Sequence, residues 1–266
     1  MITMPLDPII VHIGPFALRW YSLIVLCAIF IGLWIGAREA ERKGFDKEAI
    51  YNDALVVVIA GIAGARLFHV IDHWSHEFAA NPIRALFIWE GGLAIWGGVI
   101  GGLIAVMIVA RQRGYRFLIL TDALAPGLVL GQGLGRIACL ITGDAMGKPT
   151  SGPLGIAYSN PNAMVPELGV YYTPTPLFEL LMNVSIFAVL WYLRRRSLPN
   201  GALAMIYLIL YASGRFVVSL WSSYEIVLFG LNQAQLVGML AIIVAMPYLI
   251  FLLLRQRRAA FAFISQ

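Results

Sequence analysis

Charge is what this sequence has least of. Only 12% of its 266 residues are Asp, Glu, Lys or Arg, against roughly 25% in a soluble domain, which excludes an ordinary soluble fold. Cysteine is scarce too. Cys27 and Cys139 both lie in apolar stretches without CxxC or ligand spacing, so neither a disulfide framework nor a cysteine metal site is expected, and both read as small buried hydrophobes. There is no Gly-x-Ser-x-Gly, P-loop or dinucleotide fingerprint, no internal repeat, and no inverted repeat of the transporter kind. No basic residue precedes Arg19, so the positive n-region of a cleaved leader is missing and residues 1–14 are expected to form a short extracytoplasmic segment. What is plentiful is apolar sequence, 60% of the chain. It falls in blocks of about 20 residues, the length that crosses a hydrocarbon core of about 30 Å.

The expected fold class is therefore an all-α polytopic membrane protein, one transmembrane domain over residues 1–266. Seven transmembrane helices are expected at 16–37, 50–71, 86–110, 117–141, 176–193, 201–221 and 233–254. Basic residues cluster after alternate spans: Arg38, Arg42, Lys43 and Lys47; Arg111, Arg113 and Arg116; Arg194, Arg195 and Arg196; Arg255, Arg257 and Arg258. The opposite loops hold only Arg84 and Lys148. The positive-inside rule puts the clusters in the cytoplasm, the N-terminus extracytoplasmic and the C-terminus cytoplasmic, a parity that seven spans satisfy. The net charge of +5 is thus explained by cytoplasmic loops, with no nucleic acid partner expected.

Four cations remain: Arg19, Arg66, Arg136 and Arg215. Arg19 reads as a snorkelling interface residue. The others lie inside apolar runs, where a charge costs roughly 2.5–3.5 kcal/mol on insertion scales and usually faces a bundle interior or a wet cavity. A buried ion pair and an anionic ligand are the two readings. Of the acids within reach, Asp53 and Asp122 fall near the cytoplasmic ends, Glu90 and Glu179 near the outer ends, and none is obviously placed for Arg136 or Arg215, which favours the ligand. A lipid headgroup meets the need, since guanidinium forks match phosphate oxygens and two arginines would stabilise charge developing on a leaving phosphate ester. Tyr21 and Tyr211 could add hydrogen bonds, and Tyr211 shares a helix face with Arg215 four residues on.

The stretch 127–147, GLVLGQGLGRIACLITGDAMG, brings several of these features together: a Gly127/Gly131/Gly135 stripe, then Arg136, then Asp144 and Gly147. Gly97, Gly98, Gly101 and Gly102 form a second small-residue face, with Gly98 and Gly102 at small-xxx-small spacing for close helix packing or, alternatively, room for a bulky ligand walled by Trp96. Residues 72–85 read as an interfacial loop anchored by Trp74; His73 and His76 lack a third ligand at metal spacing. Residues 142–175 and their flank carry six prolines, from Pro149 to Pro176, which disfavour a helix, and a loop of that length is often functional. It is expected to form part of the site mouth.

At these residues the chain resembles the prolipoprotein diacylglyceryl transferase family. GRIACLITGDAMG, from Gly135 to Gly147, is similar to a family signature of the form GRxGNFINGExWG. IGPFALRWYSL with Tyr21, GARLFHV with Arg66, EGGLAIWGGVIGG, LTDALAPGLVLGQGLGR, TPTPLFELLMN, the Tyr211-to-Arg215 segment and LNQAQLVG follow in the family's order.

The resemblance implies transfer of the diacylglyceryl group of phosphatidylglycerol to the lipobox cysteine thiol in the signal peptide of a prolipoprotein. The products are a thioether and glycerol 1-phosphate, in the bacterial inner membrane, with no metal or organic cofactor. By motif position, Arg136, Arg215, Tyr21 and Asp144 are the implied catalytic residues. Arg136, Arg215, Tyr211, Gly147, Trp96, Gly97, Gly98 and Arg66 are the implied substrate-binding ones. The chain departs from the pattern at Trp96, where the family usually has the histidine of His-Gly-Gly, at Cys139 and Thr142 in place of asparagines, at Thr173-Pro174 in place of His-Pro, and at Ser219 in place of an acid. A catalytically impaired phospholipid-binding relative or a lipid transporter is the alternative.

Overall fold

A computed structural model describes residues 1–14, 16–88 and 91–264; Glu90, weighed above as an acid partner, lies outside them. Seven helices among the described residues are long and apolar enough to cross a membrane: α1 (Trp20–Arg42), α2 (Lys47–Asp72), α3 (Ile95–Gln112), α4 (Phe117–Thr142), α5 (Thr175–Leu193), α6 (Ala202–Val218) and α7 (Gln233–Ile264). Apolar side chains stay exposed along them, as on α7 at Leu240, Ile243 and Val244, the surface a lipid-facing helix presents. The chain is a polytopic α-helical membrane protein.

Two boundaries differ from expectation. The first helix starts at Trp20 rather than near residue 16, because β3 (Phe16–Arg19) pairs antiparallel with β2 (Ile9–Ile13). The third starts at Ile95 rather than 86. Gly91 and Gly92 both take positive φ, which glycine adopts freely but a helix does not, and Pro82–Leu86 forms only a 3-10 turn.

The chain divides into two compact units, residues 1–36 with 121–266, and residues 37–120. In the first, Gly32 and Gly127 bring α1 against α4: a Cβ on Gly127 would lie 2.1 Å from the Gly32 carbonyl oxygen. Ala125, Val129, Ile186, Leu190, Leu203 and Tyr207 join α4, α5 and α6 in one buried cluster. Asp122, expected near a helix end, caps α6: its carboxylate accepts from Gly201 N at 2.7 Å and Ala204 N at 2.8 Å, two of the donors a helix start leaves unpaired. Asn232 and Gln235 form a reciprocal capping box at the start of α7, each side chain accepting from the other's backbone N–H. Short strands complete the unit: β1 (Ile2–Met4) parallel to β4 (Ile156–Tyr158), and β5 (Ile226–Leu228) antiparallel to β6 (Leu231–Asn232).

In the second unit α2 and α3 pack along glycines. Gly97 and Gly101 meet Gly64 and Ala60, with a Cβ on Gly97 falling 2.2 Å from the Gly64 carbonyl oxygen. The seam thus uses Gly97 and Gly101 rather than the expected Gly98 and Gly102, beside which a methyl group would find ordinary contact. At the far end of the pair Arg113 Nη2 donates to Asp53 at 2.9 Å, and Phe45 meets Tyr115 edge-on at 4.9 Å.

Candidate active site

Three helix ends bring the site together. Arg136 lies six residues before the end of α4, Glu179 four residues after the start of α5, and Arg215 three residues before the end of α6. At 1.5 Å per residue, each sits about 5–9 Å inside its helix end. Successive antiparallel helices therefore put all three at one level.

Glu179 bridges the two arginines. Its Oε1 accepts from Arg215 Nη1. Its Oε2 stands 2.5 Å from Arg136 Nε, out of line with that N–H and without a hydrogen-bond partner. This corrects the expectation that no acid is placed for Arg136 or Arg215: Glu179 serves both. The carboxylate side chain is 3% exposed, whereas Arg136 keeps 25% and Arg215 14%, so both arginine side chains retain some exposure while the acid is enclosed. Arg215 also donates to the Tyr224 hydroxyl at 3.1 Å. Tyr211, one turn back, is in electrostatic reach of Arg215, Arg136 and Glu179. Arg215 sits in the last turn of α6.

Cys139, one turn beyond Arg136, is buried. Its sulfur lies 3.9 Å from Arg136 Nη1 and 3.9 Å from Asp144 Oδ2, linking the arginine to the acid at the helix exit. Tyr21, near the head of α1, is in electrostatic reach of Arg136, Cys139 and Asp144. Arg136, Arg215, Tyr211, Tyr21 and Asp144 thus stand around one centre.

The segment after α4 is held tightly. Gly143, at φ +77°, turns the chain out of the helix. Met164 N donates to the Thr142 carbonyl at 2.8 Å, and the buried Tyr158 hydroxyl donates to the Leu140 carbonyl at 2.6 Å, supplying partners to carbonyls that a helix end leaves free. Burial raises the Tyr158 phenol above its ordinary value. Met146, Ile156, Tyr158 and Tyr172 form a small core beneath the loop.

Gly147 N donates to Thr173 O at 2.8 Å and Lys148 N to Trp221 O at 3.0 Å, tying the loop to the start of α5 and the end of α6. Gly147 permits a close backbone approach, and the groups approaching it are Trp221, Thr175 and Thr173. Phe178, next to Glu179, lines an apolar groove of about 390 Å³ with Leu154, Val218 and Trp221.

The remaining expected residues belong to the unit 37–120. Arg66 is 7% exposed. It donates to five backbone carbonyls: Nε to Ala85 at 2.9 Å, Nη1 to Gly91 at 2.6 Å and Gly92 at 3.2 Å, Nη2 to Arg84 at 2.6 Å and Phe87 at 3.2 Å. A guanidinium has five N–H donors. Each donor of Arg66 is thus engaged by a backbone carbonyl of residues 84–87 or 91–92. Gly97 is likewise filled by helix packing, Trp96 is half-buried in the first turn of α3, and Gly98 flanks the seam. Sequence reasoning missed Glu179 as the bridging acid and Cys139 as the link to Asp144; helix spacing from Arg136 could have indicated the second.

The family model for prolipoprotein diacylglyceryl transferase matches residues 8–251. A phosphatidylglycerol–prolipoprotein diacylglyceryl transferase of Bacillus cereus (strain ZK / E33L) is 34% identical over 255 residues, covering 95% of this chain and 93% of its own length. One from Geobacillus kaustophilus (strain HTA426) is 36% identical over 245 residues, covering 91% and 90%. With two half-buried arginines set on one acid at the helix ends, and a match that runs through nearly all of its length, this chain belongs to the prolipoprotein diacylglyceryl transferase family.

Proposed function

We propose that the protein transfers the diacylglyceryl group of phosphatidylglycerol to the lipobox cysteine thiol in the signal peptide of a prolipoprotein, forming a thioether and releasing glycerol 1-phosphate. The observation that carries this reading is the convergence of Arg136 and Arg215 on a single carboxylate. Two guanidiniums that can hold one anion between them can hold a lipid phosphate, whose oxygens they match in geometry and charge. The thiol sulfur attacks the glycerol carbon, the bond from that carbon to the phosphate oxygen breaks, and the arginines stabilise the charge gained by the leaving phosphate. Tyr211 and Tyr21 border the same space, Asp144 stands at the exit of α4, and residues 142–175 form part of the mouth. Trp96, Gly97 and Gly98 are assigned to substrate through their motif positions alone.

The basic clusters in alternate loops support an extracytoplasmic N-terminus and a cytoplasmic C-terminus. The site, at the opposite helix ends from Arg194, Arg195 and Arg196, then opens on the outer side of the bacterial cytoplasmic membrane. The test is direct. Purified protein is incubated with phosphatidylglycerol and a lipobox peptide, and the cysteine is examined by mass spectrometry. A diacylglyceryl adduct is expected; its absence where a known relative gives one would sink the reading and favour a lipid-binding relative without catalysis.

A further inference from the structure

The reaction proposed above must dispose of the thiol proton, and the site offers few groups to take it. Within the unit that holds Arg136 and Arg215, the histidine is His12, exposed on β2. The carboxylates this unit brings to the centre are Asp144 and Glu179. Asp144 faces the Cys139 sulfur. Glu179 is 2% exposed and is held by both arginines, with Oε2 lacking any aligned donor. Any anion that takes these two guanidiniums displaces the carboxylate and comes to rest beside it. The bond that breaks in the transfer is attached to that anion.

We infer that Glu179 is the resident counter-ion of the phosphate site and, once a lipid phosphate takes Arg136 and Arg215 from it, the acceptor of the thiol proton. This rests on the transferase reading. The charge summed over the two arginines, the phosphate and Glu179 is conserved. Two arginines and a phosphodiester monoanion beside an ionised Glu179 sum to zero. As the carbon–oxygen bond breaks, the phosphate becomes a monoester dianion. The proton leaving sulfur neutralises Glu179, so the transfer adds no net charge to these four groups. The proton can then pass to the departing phosphate, restoring the carboxylate. The groups facing Glu179 are Arg136 and Cys139 from α4 and Tyr211 and Arg215 from α6.

Two measurements on the full-length protein test this. In Glu179→Gln, kcat at neutral pH is expected to fall by about 10²–10⁴, the usual worth of a positioned base. The rate should then recover about tenfold per pH unit toward the thiol's own pKa of about 8.5 as substrate thiolate replaces the base. The KM for phosphatidylglycerol should not rise, because the competing anion is gone. A kcat close to wild type, or a loss with no recovery at higher pH, would overturn the acceptor role.

The second measurement uses the wild-type protein and needs neither a variant that folds nor turnover. Dicyclohexylcarbodiimide labelling of Glu179, read by mass spectrometry, is expected to increase several-fold when phosphatidylglycerol is added and not when diacylglycerol is added. Unchanged labelling would overturn the displacement. A wild-type protein that labels in this way yet forms no adduct would leave the displacement standing and remove the transferase reading, so the two failures are distinct.

Discussion

Gly147 and Trp221 approach more closely than any side chain would allow: a Cβ on Gly147 would lie 2.4 Å from the Trp221 carbonyl oxygen, with Thr175 Cγ2 at 2.8 Å. The obstructing atom is backbone and cannot turn aside. Gly147→Ala is therefore expected to separate the loop after α4 from the end of α6, at about 1–3 kcal/mol of overpacking, and to reduce activity through the displaced Asp144 and Arg215. Thermal unfolding and adduct formation measured on the same preparation check this; unchanged unfolding would mean the contact relaxes freely.

Arg215→Ala strands a buried carboxylate beside a single remaining arginine. Breaking one side of a buried pair costs about 3–5 kcal/mol, and transfer should be abolished along with it. Adding Glu179→Gln to Arg215→Ala is expected to recover most of the stability and none of the activity, because the stranded charge is gone while the proposed phosphate clamp still lacks an arginine. Recovery of activity in the double variant would contradict a role for Arg215 in holding phosphate.

The Tyr158 phenol supports the loop only in its neutral form. Burial raises its pKa above the ordinary value near 10, so its contribution is complete below about pH 10 and is lost as pH climbs from there toward the folded-state value. Thermal stability should show a step down on the alkaline side. Tyr158→Phe should lack that step and be weaker by about 1–3 kcal/mol at neutral pH, since the Leu140 carbonyl loses its donor. A step that persists in Tyr158→Phe assigns it to another tyrosine.

Arg66→Lys keeps the charge and loses the fork. Three donors cannot serve five carbonyls, so amides of residues 84–88, 91 and 92 should exchange hydrogen faster while the α2–α3 seam at Gly64 and Gly97 stays protected. Protection of these amides equal to wild type would show that the segment holds without the guanidinium.

The helices were legible because length and hydropathy are properties of a stretch read by itself. Seven runs of apolar residues sufficed, and the misplaced starts of α1 and α3 came from local backbone: a hairpin ending at Arg19 and two left-handed glycines at 91 and 92. The pairing of charges was not legible. Sequence position states how deep a residue lies along its helix but not which way it faces, so Glu179 could be placed near the right level without being assigned to Arg136 and Arg215. Arg66 illustrates the same gap. Its partners are carbonyls, which every residue has, and no side-chain motif announces them. Asp144 and Cys139 were nearer to hand, since both follow Arg136 within the same short stretch.

Strand β1 lies against β4 in register from Ile2↔Ile156 to Met4↔Tyr158. The first residues of the chain therefore wait for a partner made some 150 residues later, roughly 8–30 s at ordinary rates of synthesis. Until then the small core around Tyr158 does not exist. The segment bearing Asp144 and Gly147 can settle only after α1 to α4 have been made and the chain has emerged again beyond α4. Assembly of the centre around Arg136, Glu179 and Arg215 thus comes after this pairing, and a nascent chain stalled before residue 156 would hold Arg136 without Glu179 or Arg215 beside it.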